Sequence, residues 1–80
     1  KEKMIMECEY KLIDKLATIS THNNITKELN IIAFGSGEPV YDLRKWDRSK
    51  DRMLNRMLKG ISFTKDELVE LKQILENIDV

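Results

Sequence analysis

The chain has 80 residues, of which 35% are charged and 41% are hydrophobic, and its formal net charge is zero. These values indicate one small globular domain, and no apolar run approaches the ~20 residues that a membrane-spanning helix needs. The single cysteine, Cys8, excludes an internal disulfide, and with one histidine it argues against a Cys/His zinc site. Because a core this small supplies little stability by itself, we expect a homodimer. We expect no cofactor.

The charges are unevenly distributed along the chain. Seven cations and two acids lie between Arg44 and Lys59, a local charge of +5, whereas both flanking segments are net acidic. Such a basic segment is typical of proteins that bind an anionic polymer, and it also fits a solvated loop. The lone thiol and the lack of a recognisable signal peptide favour a cytoplasmic location, on the nucleoid if the protein is bacterial.

The first half of the chain predicts two strands. Residues 1–8 form a charged lead-in without a clear period, and the β-branched run from Tyr10 to Thr21 predicts the first strand. Its alternation is imperfect at Lys15–Ala17, where we expect a bulge or a bend. The polar turn His22–Asn24 then leads to a second strand from about Thr26 to Phe34.

A turn rich in glycine divides the second strand from the third. Gly35–Pro39 contains two of the three glycines and the only proline, and Val40–Trp46 follows with a period of two, which predicts a hairpin. Residues 47–59 are interpreted as a long basic loop that could hold a helical turn. Gly60–Phe63 is interpreted as a short final strand.

The C-terminal segment predicts a helix. Thr64–Glu67 fits the S/T-x-x-E capping box, in which a hydroxyl and a carboxylate satisfy the first free amides. Apolar residues then recur at steps of three and four and give one apolar face: Leu68, Leu71, Ile74, Leu75 and Ile78. The predicted fold is α+β, a curved four-stranded antiparallel sheet followed by one helix (ββββα), within a single domain spanning 1–80. The same five residues are the predicted dimer interface.

Alternation divides the side chains of the sheet between two faces. One face suits the helix, and its members are Leu29, Ile31, Tyr41 and Leu43. The other face would then be open and would carry Asn30, Phe34, Arg44 and Trp46. An open face with aromatic and basic residues suits single-stranded nucleic acid, because bases stack on the rings and cations contact the phosphates. The competing interpretation places Trp46 in the core, since tryptophan is usually largely buried.

Three short motifs in this order resemble the positive cofactor 4 family of single-stranded-DNA-binding transcriptional coactivators. They are TKELN (Thr26–Asn30), YDLRKW (Tyr41–Trp46) and KGISFT (Lys59–Thr64), and the resemblance extends from Tyr10 to the end of the chain. It is greatest to the small bacterial, YdbC-like branch. The resemblance implies a dimer that pairs through its helices and binds DNA on a curved sheet.

The resemblance also implies roles for individual residues. Phe34 and Trp46 would stack on bases, and Arg44 and Lys59 would contact phosphates. Lys27 and Asn30 would lie at the edge of the groove, and the loop would add Arg48 and Lys50. Two departures from the family are a longer, more basic loop at 47–58 and phenylalanine at position 34, where the bacterial branch often has tryptophan.

Little in the sequence favours catalysis. The only histidine, His22, lies in a polar turn, and the Gly35–Gly37 segment lacks the lysine of a P-loop. We therefore expect a non-enzymatic single-stranded DNA-binding protein of low sequence specificity, active in transcription regulation, replication or repair, with RNA as an open alternative ligand. A different class of function is a protein-interaction module that uses the Trp46 face and the basic loop.

Overall fold

A computed structural model of the chain describes residues 9–49 and 56–80. Four strands form one antiparallel sheet in the order β1-β2-β3-β4, and a single helix follows, which confirms the predicted ββββα fold. The elements are β1 (Tyr10–His22), β2 (Ile25–Phe34), β3 (Val40–Asp47), β4 (Arg56–Phe63) and α1 (Lys65–Glu76). In the part of the chain described, no helix is long and apolar enough to cross a membrane. The lead-in at 1–8, with Cys8, lies outside the described residues.

Both predicted turns are present. Asn23 and Asn24 connect β1 to β2 with φ values of 50° and 68°, a left-handed pair that asparagine tolerates and that suits a two-residue hairpin. Gly35, with φ of 55°, begins the turn between β2 and β3, where the amide of Gly37 donates to the carbonyl of Phe34 over 2.8 Å. These local conformations fix the register of the first three strands.

Strand β1 is irregular and the sheet is strongly bent. Its pairing with β2 shifts at three points, and the one between Lys15 and Ala17 confirms the predicted bulge. Tyr10 pairs with Phe34, whereas Trp46 pairs with Thr26, eight positions away along β2. In a flat sheet these positions would be about 27 Å apart. The rings of Tyr10 and Trp46 are nevertheless 5.5 Å apart, so the sheet curves until its two ends meet on one face.

The predicted long loop was wrong in its second part. Residues 56–59 belong to β4, which begins at Arg56, and residues 50–55 lie outside the described part of the chain. Gly60 pairs with Arg44 at a close approach of β3 and β4. A Cβ at Gly60 would lie 2.7 Å from the carbonyl oxygen of Leu43 and would clash with the Arg44 side chain. Glycine therefore leaves room for Arg44 to cross β4.

The capping box of α1 is formed as predicted. The amide of Glu67 donates to Oγ1 of Thr64 over 3.1 Å, and the amide of Thr64 donates to Oε1 of Glu67 over 2.9 Å. The helix ends at Glu76, so Ile78 lies beyond it and does not continue its apolar face. The helix packs only loosely against β3 and β4. As a result, none of its residues is fully buried.

Candidate nucleic-acid interface

The strand pairing confirms which side chains share a face, but the predicted exposure of one face was wrong. We call this face, which carries Glu28, Asn30, Ile32, Phe34, Asp42, Arg44 and Trp46, the Trp46 face. Trp46 is 2% exposed, and Ile32 and Asn30 are equally inaccessible. The most buried side chains described lie here rather than under the helix. The bend of the sheet explains this, because it brings Tyr10 across to the indole.

Asp42 is the first of two buried carboxylates on the Trp46 face, and it is 0% exposed. Nε of Arg44 donates to Oδ1 over 2.6 Å, and Nη2 donates to Oδ2 over 2.7 Å. Ser62 on β4 adds a hydrogen bond of 2.9 Å from its hydroxyl. Nη1 of Arg44 donates to the carbonyl of Leu58 over 3.0 Å, across the space that Gly60 leaves. The guanidinium is thus held along its edge by β3 and β4.

Glu28 is the second buried carboxylate, and it is 1% exposed. Arg48 donates to it from Nε over 3.0 Å and from Nη2 over 2.7 Å. The amide of Arg48 donates to the carbonyl of Asn24 over 2.7 Å, which ties the end of β3 to the first hairpin turn. Because of this tie, the Arg48 side chain can return across the face to Glu28.

The surroundings of Glu28 stabilise its charged form. Burial by itself raises the pKa of this carboxyl group, but hydrogen bonds from Arg48, Thr26 and Asn30 and the positive charge of Arg48 outweigh that effect. The pKa falls from an ordinary 4.5 to about 2. Glu28 is therefore ionised at neutral pH although it is buried.

Each arginine also covers an aromatic ring. Cζ of Arg48 lies over the Trp46 ring, 4.6 Å from its centroid, and Cζ of Arg44 lies over the Phe34 ring at 5.5 Å. Both distances are within the range of cation–π attraction. Tyr10 approaches the indole with its ring inclined by 61° to it. The predicted base-stacking rings are therefore covered by protein groups, Trp46 almost completely and Phe34 in part.

Two buried polar atoms on the Trp46 face lack a hydrogen-bond partner among the described residues. They are Oδ1 of Asn30 and Nε1 of Trp46. The amide nitrogen of Asn30 donates to Glu28 over 3.3 Å, so its side chain supports the carboxylate. Asn30 is buried, and its contact with nucleic acid at the groove edge remains a prediction.

The predicted phosphate-binding lysines Lys27 and Lys59 are exposed and take no part in the two ion pairs described above. Lys27 pairs with Lys45 across β2 and β3, on the face opposite Trp46. Lys59 is exposed in β4, within the irregular stretch that faces Lys45. Lys27 and Lys45 are thus neighbours across two strands. Lys50 lies outside the described residues.

On the helix side of the sheet, three of the five predicted dimer residues line an open apolar cleft of about 510 Å³. Leu68 and Leu71 are half-buried in it, and Leu75 lines it while remaining 56% exposed. Ile74 and Ile78 are also exposed. The opposite wall comes from the sheet and includes Ile19, Leu29 and Leu43.

Sequence reasoning missed the ion pairs of the two carboxylates on the Trp46 face and the contact of Tyr10 with Trp46. An acid and an arginine two positions apart on a strand, as in Asp42 and Arg44, share a face and can pair, so that spacing could have indicated the first ion pair. Glu28 and Arg48 are 20 residues apart, and their pairing has no comparable local pattern. Within residues 9–49 and 56–80, no group of acidic, histidine or cysteine side chains is arranged to hold a metal ion.

Comparison with known proteins confirms the family resemblance. Residues 22–74 match the family model described as Transcriptional Coactivator p15 (PC4). The match begins at the last residue of β1 and includes β2, β3, β4 and most of α1. No curated protein matches the chain.

The burial of Trp46 predicts a structural cost for its removal. Trp46→Ala should lower the free energy of unfolding by about 3–5 kcal/mol, because it leaves a cavity beneath Arg48. Urea unfolding followed by circular dichroism measures this cost. Trp46→Phe, the matched control, keeps an aromatic ring beneath Arg48 and removes a smaller part of the buried side chain, including an indole N–H that has no partner among the described residues, so it should cost less. An alanine variant as stable as the wild type would contradict the burial of Trp46.

The ionisation of Glu28 predicts acid-sensitive stability. Since its pKa is lower in the folded chain than in the unfolded one, its contribution is complete above about pH 5 and is lost as the pH falls towards 2. The size of the effect is on the order of 3 kcal/mol. Urea unfolding across this range should show a steeper loss for wild type than for Glu28→Gln. Parallel pH profiles for the two proteins would contradict the prediction.

Proposed function

The chain belongs to the PC4 family of transcriptional coactivators, which bind nucleic acid and are not enzymes, and on that premise we propose that it binds single-stranded DNA as a homodimer. The family match over residues 22–74 carries the proposal. The proposed role is in transcription regulation, replication or repair. Membership of the YdbC-like bacterial branch remains a prediction.

The arrangement of side chains supports a ligand with both planar and anionic parts. The Trp46 face offers guanidinium groups over aromatic rings, which suit unpaired bases. The exposed lysines Lys27, Lys45 and Lys59 suit phosphates that follow the end of the sheet. Stacking depends little on base identity, so low sequence specificity is part of the proposal.

The apolar cleft beside the helix supports the homodimer. Leucine and isoleucine side chains with half of their surface exposed are unfavourable in water, and a contiguous patch of them is typical of an interface. A second copy would offer the same apolar helix, so a symmetric contact covers both patches at once. The competing proposal of a protein-docking site built on Trp46 loses its principal contact, because that ring is buried.

Binding to oligo-dT tests the DNA proposal. We expect fluorescence anisotropy of a labelled strand to show tighter binding than duplex DNA of the same length. If Lys27, Lys45 and Lys59 each contact one phosphate, log affinity should fall with a slope of about −2 against log salt. Lys59→Gln should reduce that slope by about 0.7, and Lys65→Gln, at the start of α1, should not change it. Equal binding to both DNA forms would contradict the proposal, and an RNA strand of the same sequence tests the sugar preference.

Substitution of Leu75 tests the dimer. We expect wild type to sediment at twice the monomer mass of 9.4 kDa, and Leu75→Asp to sediment as a monomer because it places a charge in the apolar contact. In an isolated chain the same change should cost little, since Leu75 is half-exposed there. Gln73→Asp, an exposed neighbour on the same helix, is the matched control and should remain dimeric. A monomeric wild type at micromolar concentration would exclude the dimer.

A further inference from the structure

Two arginines on the Trp46 face are held in the same way. The edge of each guanidinium donates two hydrogen bonds to a buried carboxylate, Glu28 for Arg48 and Asp42 for Arg44. One side of each guanidinium lies over an aromatic ring, Trp46 at 4.6 Å in the first case. A carboxylate fixes the in-plane direction and a ring supports one side, so each cation is held in place.

This arrangement leaves the two arginine side chains more accessible from solvent than the indole. Trp46 is 2% exposed, whereas the side chain of Arg48 is 25% exposed and that of Arg44 is 14% exposed. A base approaching the Trp46 face therefore meets Arg48 before it meets the ring. Direct stacking on Trp46 would require Arg48 to leave both the ring and Glu28.

A guanidinium held in this way can itself receive a base. It is planar, delocalised and weakly hydrated, and arginine planes stack on nucleobases in complexes with single strands. Its charge is already balanced by the buried carboxylate. What it offers a nucleic acid is therefore its plane more than its charge.

We propose that Arg48, and to a smaller extent Arg44, are the surfaces on which bases stack, and that Glu28 and Asp42 are positioning residues that hold them. The inference rests on the proposed function, since it names the groups that contact the bases of the same ligand. Trp46 and Phe34 act beneath the arginines as supports. The order from the interior outward is ring, guanidinium, base.

Arg48→Lys tests whether binding depends on the planar guanidinium group of Arg48 or on its positive charge. Lysine keeps the positive charge and can still pair with Glu28, but it has no planar group to stack on a base. We expect affinity for labelled oligo-dT to fall on the order of 10-fold, with the salt slope unchanged. If Arg48 instead contacted a phosphate, lysine would replace it with little loss. Arg56→Lys, an exposed position in β4, is the matched control and should bind within about 2-fold of wild type.

Glu28→Gln tests the positioning role, because two interpretations predict opposite signs. Removing a negative charge from a DNA-binding face should tighten binding if only net charge matters. If Glu28 holds the plane of Arg48, the same change should weaken oligo-dT binding by roughly 3- to 10-fold, since a neutral amide holds the guanidinium less firmly. Glu38→Gln, which removes an exposed negative charge from the turn after β2, should give slightly tighter binding and is the matched control.

Circular dichroism and thermal melting establish that each variant is folded at the temperature of the titration. If Glu28→Gln does not fold, Arg48→Lys decides the question, because it retains the charge that Glu28 needs. Weaker binding by Arg48→Lys with an unchanged salt slope supports the proposal. Wild-type binding to oligo-dT with unchanged affinity in Arg48→Lys overturns this inference and leaves the proposed function standing. A wild type that does not bind oligo-dT overturns both.

Discussion

The need to neutralise two carboxylates inside a bent sheet governs the structure of this domain. Glu28 and Asp42 are almost completely removed from water, and an uncompensated charge in such a place would cost several kcal/mol. Each carboxylate accepts two hydrogen bonds from one guanidinium group. These bonds neutralise the negative charge and fix the orientation of the arginine. The paired arginines then lie across the aromatic rings. Burial of the rings, order of the arginines and ionisation of the acids are therefore parts of one arrangement.

The elements of the fold could be predicted where the determining chemistry is local. The capping box at Thr64, the two asparagines of the first hairpin and the imperfect alternation at Lys15–Ala17 each lie within a few residues of the feature they cause. The beginning of β4 could not be predicted in this way. Arg56–Lys59 continues a basic segment with no glycine or proline before Gly60, and its pairing with β3 is irregular.

The sequence correctly predicted which side chains share the Trp46 face, but it did not predict that most of them are buried. The difference has a physical reason. Alternation determines which side chains share a face, and it placed Arg44 and Trp46 together correctly. It does not determine what covers that face. The cover comes from the bend that brings Tyr10 to Trp46 and from Arg48, which reaches Glu28 across 20 residues of chain. Charged residues beside Trp46 favoured an exposed position for its ring. The carboxylates are nevertheless buried, because each is neutralised by an arginine.

Because the two arginines are paired with buried carboxylates, base stacking and long-range electrostatic attraction come from different parts of the molecule. Arg44 and Arg48 are balanced by Asp42 and Glu28, so the Trp46 face is close to electrically neutral and attracts a polyanion only at short range. Long-range attraction must then come from exposed lysines such as Lys27 and Lys59, which take no part in these two ion pairs. Stacking and charge consequently reside on different residues. Affinity at high salt therefore reports on the arginine planes, and the dependence of affinity on salt reports on the lysines.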